Sequence, residues 1–434
     1  MKTRFSFLGL TSNDFLYATG AAKKLVALLL LLLATLVQAE DFTYTINNGT
    51  ITITKYTGAG GEVIIPSTIN GLPVTSIGQS AFVTYPPMDP PYSTNVISVV
   101  IPDSVTTIGE RTFMGCAGLT NVAIPNSVTS IGELAFAACT GLSSITIPNT
   151  LVSIEFGAFI ACKSLTDVTI PNSVVSIGER AFDGCFRLTR ITIPNSMTTI
   201  DERAFSDCTG LTNVAIPNSV TNIGDWAFSG TSLTSVIIPD GVTSIGNGAF
   251  DDCFGLTNVT IGNGVTSIGD QAFAGFFSLA SVTIPASVTS IGDGALVRCS
   301  QDEIHGTRCA SPDAIYFLGN APATPSSAFG NAGNGIVYYL PGTAGWGTTF
   351  GGLPTALWLP QAQTADPSFG IRTNQFGFTI NWASDKVVVV EATPDLAQPV
   401  WVPVSTNMLT GGASYFSDPA WTTNPSRFYR LRSP

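Results

Sequence analysis

A period of 23 residues runs through the middle of this chain and constrains its fold more than any other feature. Pro102, Pro125, Pro148, Pro171, Pro194 and Pro217 each stand 23 residues apart. Pro239 follows after 22, where the rung around Gly230 to Ser232 has lost one residue, and Gly262 and Pro285 resume the step of 23. Phe113, Phe136, Phe159, Phe182, Phe205, Phe228, Phe250 and Phe273 keep the same register. Phe82 precedes them and Leu296 closes the series, so ten rungs are countable. A unit this short cannot enclose a core, and its apolar residues are buried only by stacking on the rungs either side. The expected fold is a solenoid.

Within one rung, Leu119, Val122 and Ile124 are spaced Leu-x-x-Val-x-Ile. Alternation turns Val122 and Ile124 inward on a short parallel strand, which Pro125 ends because it has no N–H for the ladder. A second apolar pair, Val128 and Ile131, leads to Gly132. Phe136 and Cys139 then lie three apart, as one face of a short helical turn requires. The whole pattern, Leu-x-x-Val/Ile-x-Ile-Pro-x-x-Val-x-x-Ile-Gly-x-x-Ala-Phe-x-x-Cys, resembles the BspA-like class of bacterial leucine-rich repeats over residues 60 to 300. The resemblance implies a leucine-rich-repeat solenoid with one short parallel strand per rung and a short helical turn on the convex side. It also implies an exported protein used in adhesion and in binding proteins or surfaces.

The segments flanking the repeat complete the organisation. Lys23 and Lys24 precede an apolar run from Leu25 to Val37, with small residues at Val37 and Ala39, so residues 1–39 read as a signal peptide cleaved after Ala39. The apolar run has 13 residues against the roughly 20 that span a bilayer, so no transmembrane helix is expected in the mature chain. Residues 40–60 alternate around Asn47, Asn48 and Gly49 and read as a hairpin capping the open first rung. The repeats occupy 61–299, with a Pro-rich insertion from Val83 to Tyr92 that must loop outward. Residues 300–360 read as the C-terminal cap. Residues 361–434 hold short strand patterns at regular spacing and read as a small all-β, sandwich-like module.

The chemistry available is sparse. The net charge of −11 becomes −14 once Lys2, Arg4, Lys23, Lys24 and Asp14 leave with the signal peptide, so nucleic acid, whose binding depends on neutralising phosphates, is excluded as a partner. Cys116, Cys139, Cys162, Cys185, Cys208 and Cys253 share one repeat position, with Gly230 and Phe276 in that slot elsewhere, and read as buried free thiols in an apolar site. Cys299 and Cys309 break the register and are the better disulfide pair in an exported protein. His305 is the single histidine, which leaves no metal site and no catalytic triad to assemble. Glu110, Glu133, Glu179, Glu202, Asp225 and Asp270 follow the rung's Gly or its replacement and form a solvated acidic stripe, without the paired carboxylates of a glycosidase cleft. No cofactor is expected.

What remains is the outward side of the concave ladder. Alternation places Asn121, Ser144, Thr146, Asp167, Thr169, Arg190, Thr192, Asn213, Asn258 and Thr260 there, a face that is small, polar and almost uncharged. Asp167 and Arg190 depart from that character on adjacent rungs and form the preferred contact point as a cross-strand pair. The expected function is non-catalytic binding or adhesion to an extracellular protein or glycan, by a secreted or cell-surface protein. The alternative is a structural envelope component held by its C-terminal module.

Overall fold

A computed structural model describes residues 41–83, 95–276, 279–302, 306–324, 327–329, 335–372, 375–423 and 426–433, with 298–302 and 306–310 described as backbone only. The expected signal peptide, His305 and all but the first residue of the insertion lie outside the described residues. The chain divides into two compact units, Met1–Val214 and Ala215–Pro434.

In the first unit, Phe42–Asn47 and Thr50–Tyr56 form the expected antiparallel hairpin, turning through Asn48 (φ 52°) and Gly49 (φ 79°). Two successive left-handed residues are what a two-residue turn compatible with strand twist needs. The second hairpin strand pairs in parallel with Leu72–Ile77, covering the edge of the first rung. One ladder then runs through Gly61–Ile64, Val96–Val100, Asn121–Ala123, Ser144–Thr146, Asp167–Thr169 and Arg190–Thr192, all parallel. Each rung also makes a second, two-residue strand at the apolar pair's end, as at Thr107–Ile108, Ser130–Ile131, Ser153–Ile154 and Ser176–Ile177. These strands are too short to show a period of their own in the sequence.

Where the spacing of Phe136 and Cys139 suggests a helical turn, the rung instead makes consecutive tight turns whose N–H groups alternate between two destinations. Ala135, Ala137 and Cys139 donate within the rung, to the carbonyls of Gly132, Leu134 and Phe136. Leu134, Phe136 and Ala138 donate across to Phe156, Ala158 and Ile160 of the next rung, at 2.9, 2.9 and 2.7 Å. Left-handed residues at Leu134 and Ala138, both with φ 56°, re-aim the chain so that this alternation closes. A helix would spend every N–H on its own chain and leave the neighbouring rung's carbonyls without donors.

Inside the turns the phenylalanines stack, fully buried. Neighbouring centroids from Phe113 to Phe205 are 5.2 to 5.7 Å apart with interplanar angles of 9 to 17°. Phe228, Phe250 and Phe273 repeat the arrangement in the second unit at 5.4 and 5.2 Å.

In the second unit the parallel ladder does not stop at Leu296. Ser281–Ile284 pairs with Ala314–Phe317, which pairs with Ile336–Tyr339, which pairs with Leu353–Leu357. Ile315, Phe317, Val337 and Leu353 take the inward positions. An antiparallel hairpin, Arg298–Asp302 with Gly306–Ala310, interrupts the sequence between them. Beyond it, one antiparallel sheet holds Gln361–Gln363, Gly370–Arg372, Gln375–Asn381 and Ala413–Asp418, and a second holds Val387–Thr393, Val402–Met408 and Phe428–Arg432. Phe378, Ile380, Val388, Val390, Leu409 and Phe416 form a core contributed by both sheets, as a sandwich requires. Among the described residues no helix is long and apolar enough to cross a membrane.

Candidate functional site

The constant step between rungs lines the ladder residues up in columns. Asn121, Ser144, Asp167 and Arg190 stand in register in one column, and Ala123 with Thr146 and Thr169 with Thr192 in the next. All are exposed, while Val122, Ile145, Val168 and Ile191 between them are buried. In the second unit Asn258 faces Ser235 and Thr260 faces Ile237, again exposed. Asn213 is exposed on a rung without a regular strand. Asp167 and Arg190 do face each other, with Oδ1 and Nε 3.9 Å apart and the side chains 60% and 82% exposed. Such a pair, solvated and loosely held, contributes between zero and about 1 kcal/mol to folding.

The hydroxyls along this face fall into two groups. Those one position before each strand are spent on the fold: Thr120 donates to the Ile97 carbonyl, Ser143 to Thr120, Thr166 to Ser143 and Thr189 to Thr166, at 3.1 to 3.3 Å. The outward side chains of Asn121, Ser144, Thr146, Thr169, Thr192, Asn213, Asn258 and Thr260 have no hydrogen-bond partner among the described residues. The first group is part of the ladder. The second is uncommitted.

The acidic stripe is tied to the fold rather than simply solvated. Glu110, Glu179 and Glu202 pair with the adjacent Arg111, Arg180 and Arg203. In the second unit Asp225 Oδ1 accepts the N–H of Asn247, Asn247 Oδ1 that of Asp270, and Asp270 Oδ1 that of Asp293, at 2.7 to 2.8 Å. A short acceptor just after the rung's glycine reaches one rung along and satisfies a backbone donor there.

The six repeat cysteines are buried and form no disulfide. The thiols of Cys139, Cys162, Cys185, Cys208 and Cys253 donate to the carbonyl of the preceding rung's phenylalanine, at 3.1 to 3.4 Å. Burial, with the neighbouring thiol, pushes Cys139, Cys162, Cys185 and Cys208 well above the ordinary thiol range; burial brings Cys253 to about 12. These are not nucleophiles at neutral pH. The slot assigned to Gly230 from the sequence belongs to Thr231. Its hydroxyl donates to the Phe228 carbonyl at 2.8 Å, and its Oγ1 lies 3.2 Å from Cys253 Sγ. The residue missing from that rung falls after the slot, so counting back from Leu233 lands one position early. Thr231 thus brings a hydrogen-bonded hydroxyl to a slot that Phe276 fills with apolar bulk alone. Cys299 and Cys309 stand directly opposite each other in the antiparallel hairpin. Among the described residues no three His, Cys, Asp or Glu side chains gather where they could hold a metal.

One feature escaped the sequence. The outward column that holds Thr283 continues through Tyr316 and Tyr338, whose rings stack at 5.1 Å and 18°, and the indole of Trp358 lies 4.5 Å from Tyr316. The alternation of Ile315 and Phe317 around Tyr316 was the available signal, since it repeats the inward-outward order of the regular strands.

Residues 91–209 and 176–303 match the BspA type Leucine rich repeat region, in six copies. No curated protein matches the sequence. Among solved structures, a leucine rich repeat protein of T. pallidum is 33% identical, over 44% of this chain and 87% of that one, with a TM-score of 0.40. A leucine rich cell surface protein from Faecalibacterium prausnitzii is 26% identical over 70% and 88%, with a TM-score of 0.39. A leucine-rich repeat protein from Bacteroides ovatus is 26% identical over 69% and 94%, with a TM-score of 0.45.

Proposed function

The repeats of this chain belong to the BspA-type leucine-rich repeat family, and from that premise we propose an exported, non-catalytic protein that binds an extracellular protein or glycan through its ladder face. The observation that carries the reading is the division among the ladder's polar groups: one set of hydroxyls is consumed between rungs, and the outward set is left uncommitted in aligned columns. Columns on a parallel ladder repeat every 4.8 Å or so, which offers an extended ligand a regular series of donors and acceptors. Ser, Thr and Asn are short, so immobilising them costs less rotamer entropy than immobilising Lys, Arg or Gln. Export rests on the basic pair Lys23 and Lys24, the apolar run after them and the small residues at 37 and 39.

The test is binding of the chain without residues 1–39 to an array of extracellular proteins and glycans, alongside Asp167→Ala with Arg190→Ala and a second variant, Thr146→Arg with Thr169→Arg. Specific binding weakened by either variant is the expected result. Binding that survives both, or binding to nothing on the array, refutes the ladder as the contact surface.

A further inference from the structure

The ladder's outward column changes character at one end of the second unit. At Thr283 it is small and polar; then come Tyr316 and Tyr338, directly opposite one another, and then Ala356. The step from a ring to a methyl group leaves room where a third ring would lie, and a cleft of about 270 Å³ opens there, walled by Tyr316, Tyr338, Trp358 and Trp382. The wall is braced. The Trp358 N–H donates to the Tyr339 carbonyl at 2.7 Å, and the Trp382 indole N–H donates to the Trp358 carbonyl at 2.8 Å.

Opposite the rings, the first antiparallel strand pair of the C-terminal sandwich brings amides to the cleft. Gln361 and Asn381 are direct cross-strand partners, and Gln363 follows two residues after Gln361, so all three side chains lie on one face of that pair. Their amide groups have no hydrogen-bond partner among the described residues. No charged side chain lines the cleft.

We infer that this cleft is a binding site for a neutral hexopyranose chain. Aromatic walls match the C–H face of a pyranose ring with equatorial hydroxyls, and uncommitted amides, each both donor and acceptor, match the hydroxyls around its rim. The absence of a cation from the lining, on a chain of net charge −11, selects against sulfated and uronic glycans. A proline-rich peptide also docks on aromatic grooves, but its carbonyls call for donors alone, whereas Gln361, Gln363 and Asn381 each offer a donor and an acceptor, as sugar hydroxyls require. The inference rests on the reading of this chain as a binding protein, while placing a site apart from Asp167 and Arg190.

The experiment titrates the chain without residues 1–39 with cellopentaose, laminaripentaose and mannopentaose, using polygalacturonate and a proline-rich peptide as controls. Calorimetry and tryptophan fluorescence report binding. The wild type should bind at least one neutral pentaose and not polygalacturonate. Tyr338→Ala should weaken that binding about tenfold, and Gln361→Ala with Asn381→Ala about three- to tenfold. The double variant lies on exposed strand positions and reads the site even if Tyr338→Ala perturbs folding. Binding of no neutral pentaose, binding unchanged in both variants, or binding of the proline-rich peptide alone overturns the inference. Sugar binding lost in Asp167→Ala with Arg190→Ala but intact in Tyr338→Ala also overturns it, while leaving the ladder-face reading standing.

Discussion

Phe159→Ala tests the claim that each rung is held by its two neighbours. Phe159 is fully buried, with its ring 5.5 Å from Phe136 and 5.3 Å from Phe182 at 9 and 14°. Truncating a buried phenylalanine costs about 3 to 5 kcal/mol, of which each lost ring pair accounts for about 0.5 to 1.5. The backbone bond from Phe159 to the Ala181 carbonyl does not depend on the ring and should persist. In a stacked array the loss therefore falls on the two junctions flanking the rung. The thiols of Cys162 and Cys185, hydrogen-bonded to the carbonyls of Phe136 and Phe159, report those junctions. A local opening made cheaper by about 3 kcal/mol is populated on the order of a hundredfold more. Pulsed alkylation followed by peptide mapping should show Cys162 and Cys185 labelled faster by about that factor, with Cys253 in the other unit unchanged. Phe159→Leu should lose only about 1 to 1.5 kcal/mol, since Leu296 fills the same slot fully buried. Equal acceleration at Cys253, or an unchanged denaturation midpoint in Phe159→Ala, would refute nearest-neighbour burial as the source of stability.

Three further outcomes follow from single positions. Burial, and then Asp252, raises the Asp251 carboxyl from 3.8 to about 6. A carboxyl raised on folding stabilises below about pH 4 and loses that contribution as pH rises through 6, a span worth about 3 kcal/mol before discounting for its partial exposure. Asp251→Asn should thus raise stability by about 1 kcal/mol at pH 7.5 and by nothing below pH 4; a gain at acid pH alone would contradict the sign. Ala161 holds a left-handed φ of 57°, where the equivalent residue one rung on is Gly184. Ala161→Gly removes a strain of about 1 to 2 kcal/mol against a chain-entropy cost of about 0.5 to 1, so thermal unfolding should rise, and a fall would count against the strain. Cys299 and Cys309, cross-strand partners in their hairpin, should be recovered as one linked peptide from protein folded in an oxidising compartment until it is reduced; free alkylation of both without reductant would dismiss the bond.

The sequence was most legible where a side chain is irreplaceable. Pro125, Phe136 and Ile124 recur because a strand must end, a ring must stack and a column must fill, and the constant step between them is by itself enough to pair Asp167 with Arg190. It misleads at Thr231, where a deletion shifts the count by one, and over Ala314 to Leu357 it reads only as a cap, because the ladder continues there without the repeat's proline and phenylalanine marks.

The turn was misread for a different physical reason. Its defining feature is a backbone conformation, and at the slot of Leu134 that conformation is held by Arg111, Arg180, Arg203, Trp226 and Gln271 as well as by Gly157, Gly248 and Gly294. An isolated chain would pay to place those side chains at positive φ, and local propensity alone therefore argues for the helical alternative. In the stack the residue's N–H finds a carbonyl of the next rung, as Arg111 finds Glu133, Arg180 finds Glu202 and Gln271 finds Asp293, at 2.8 to 2.9 Å. The neighbouring rung supplies the compensation, so the slot needs no glycine and keeps no residue in common. A feature enforced by neighbours rather than by its own side chain leaves no period to read, and the helix spacing of Phe136 and Cys139 was the wrong inference from a right observation.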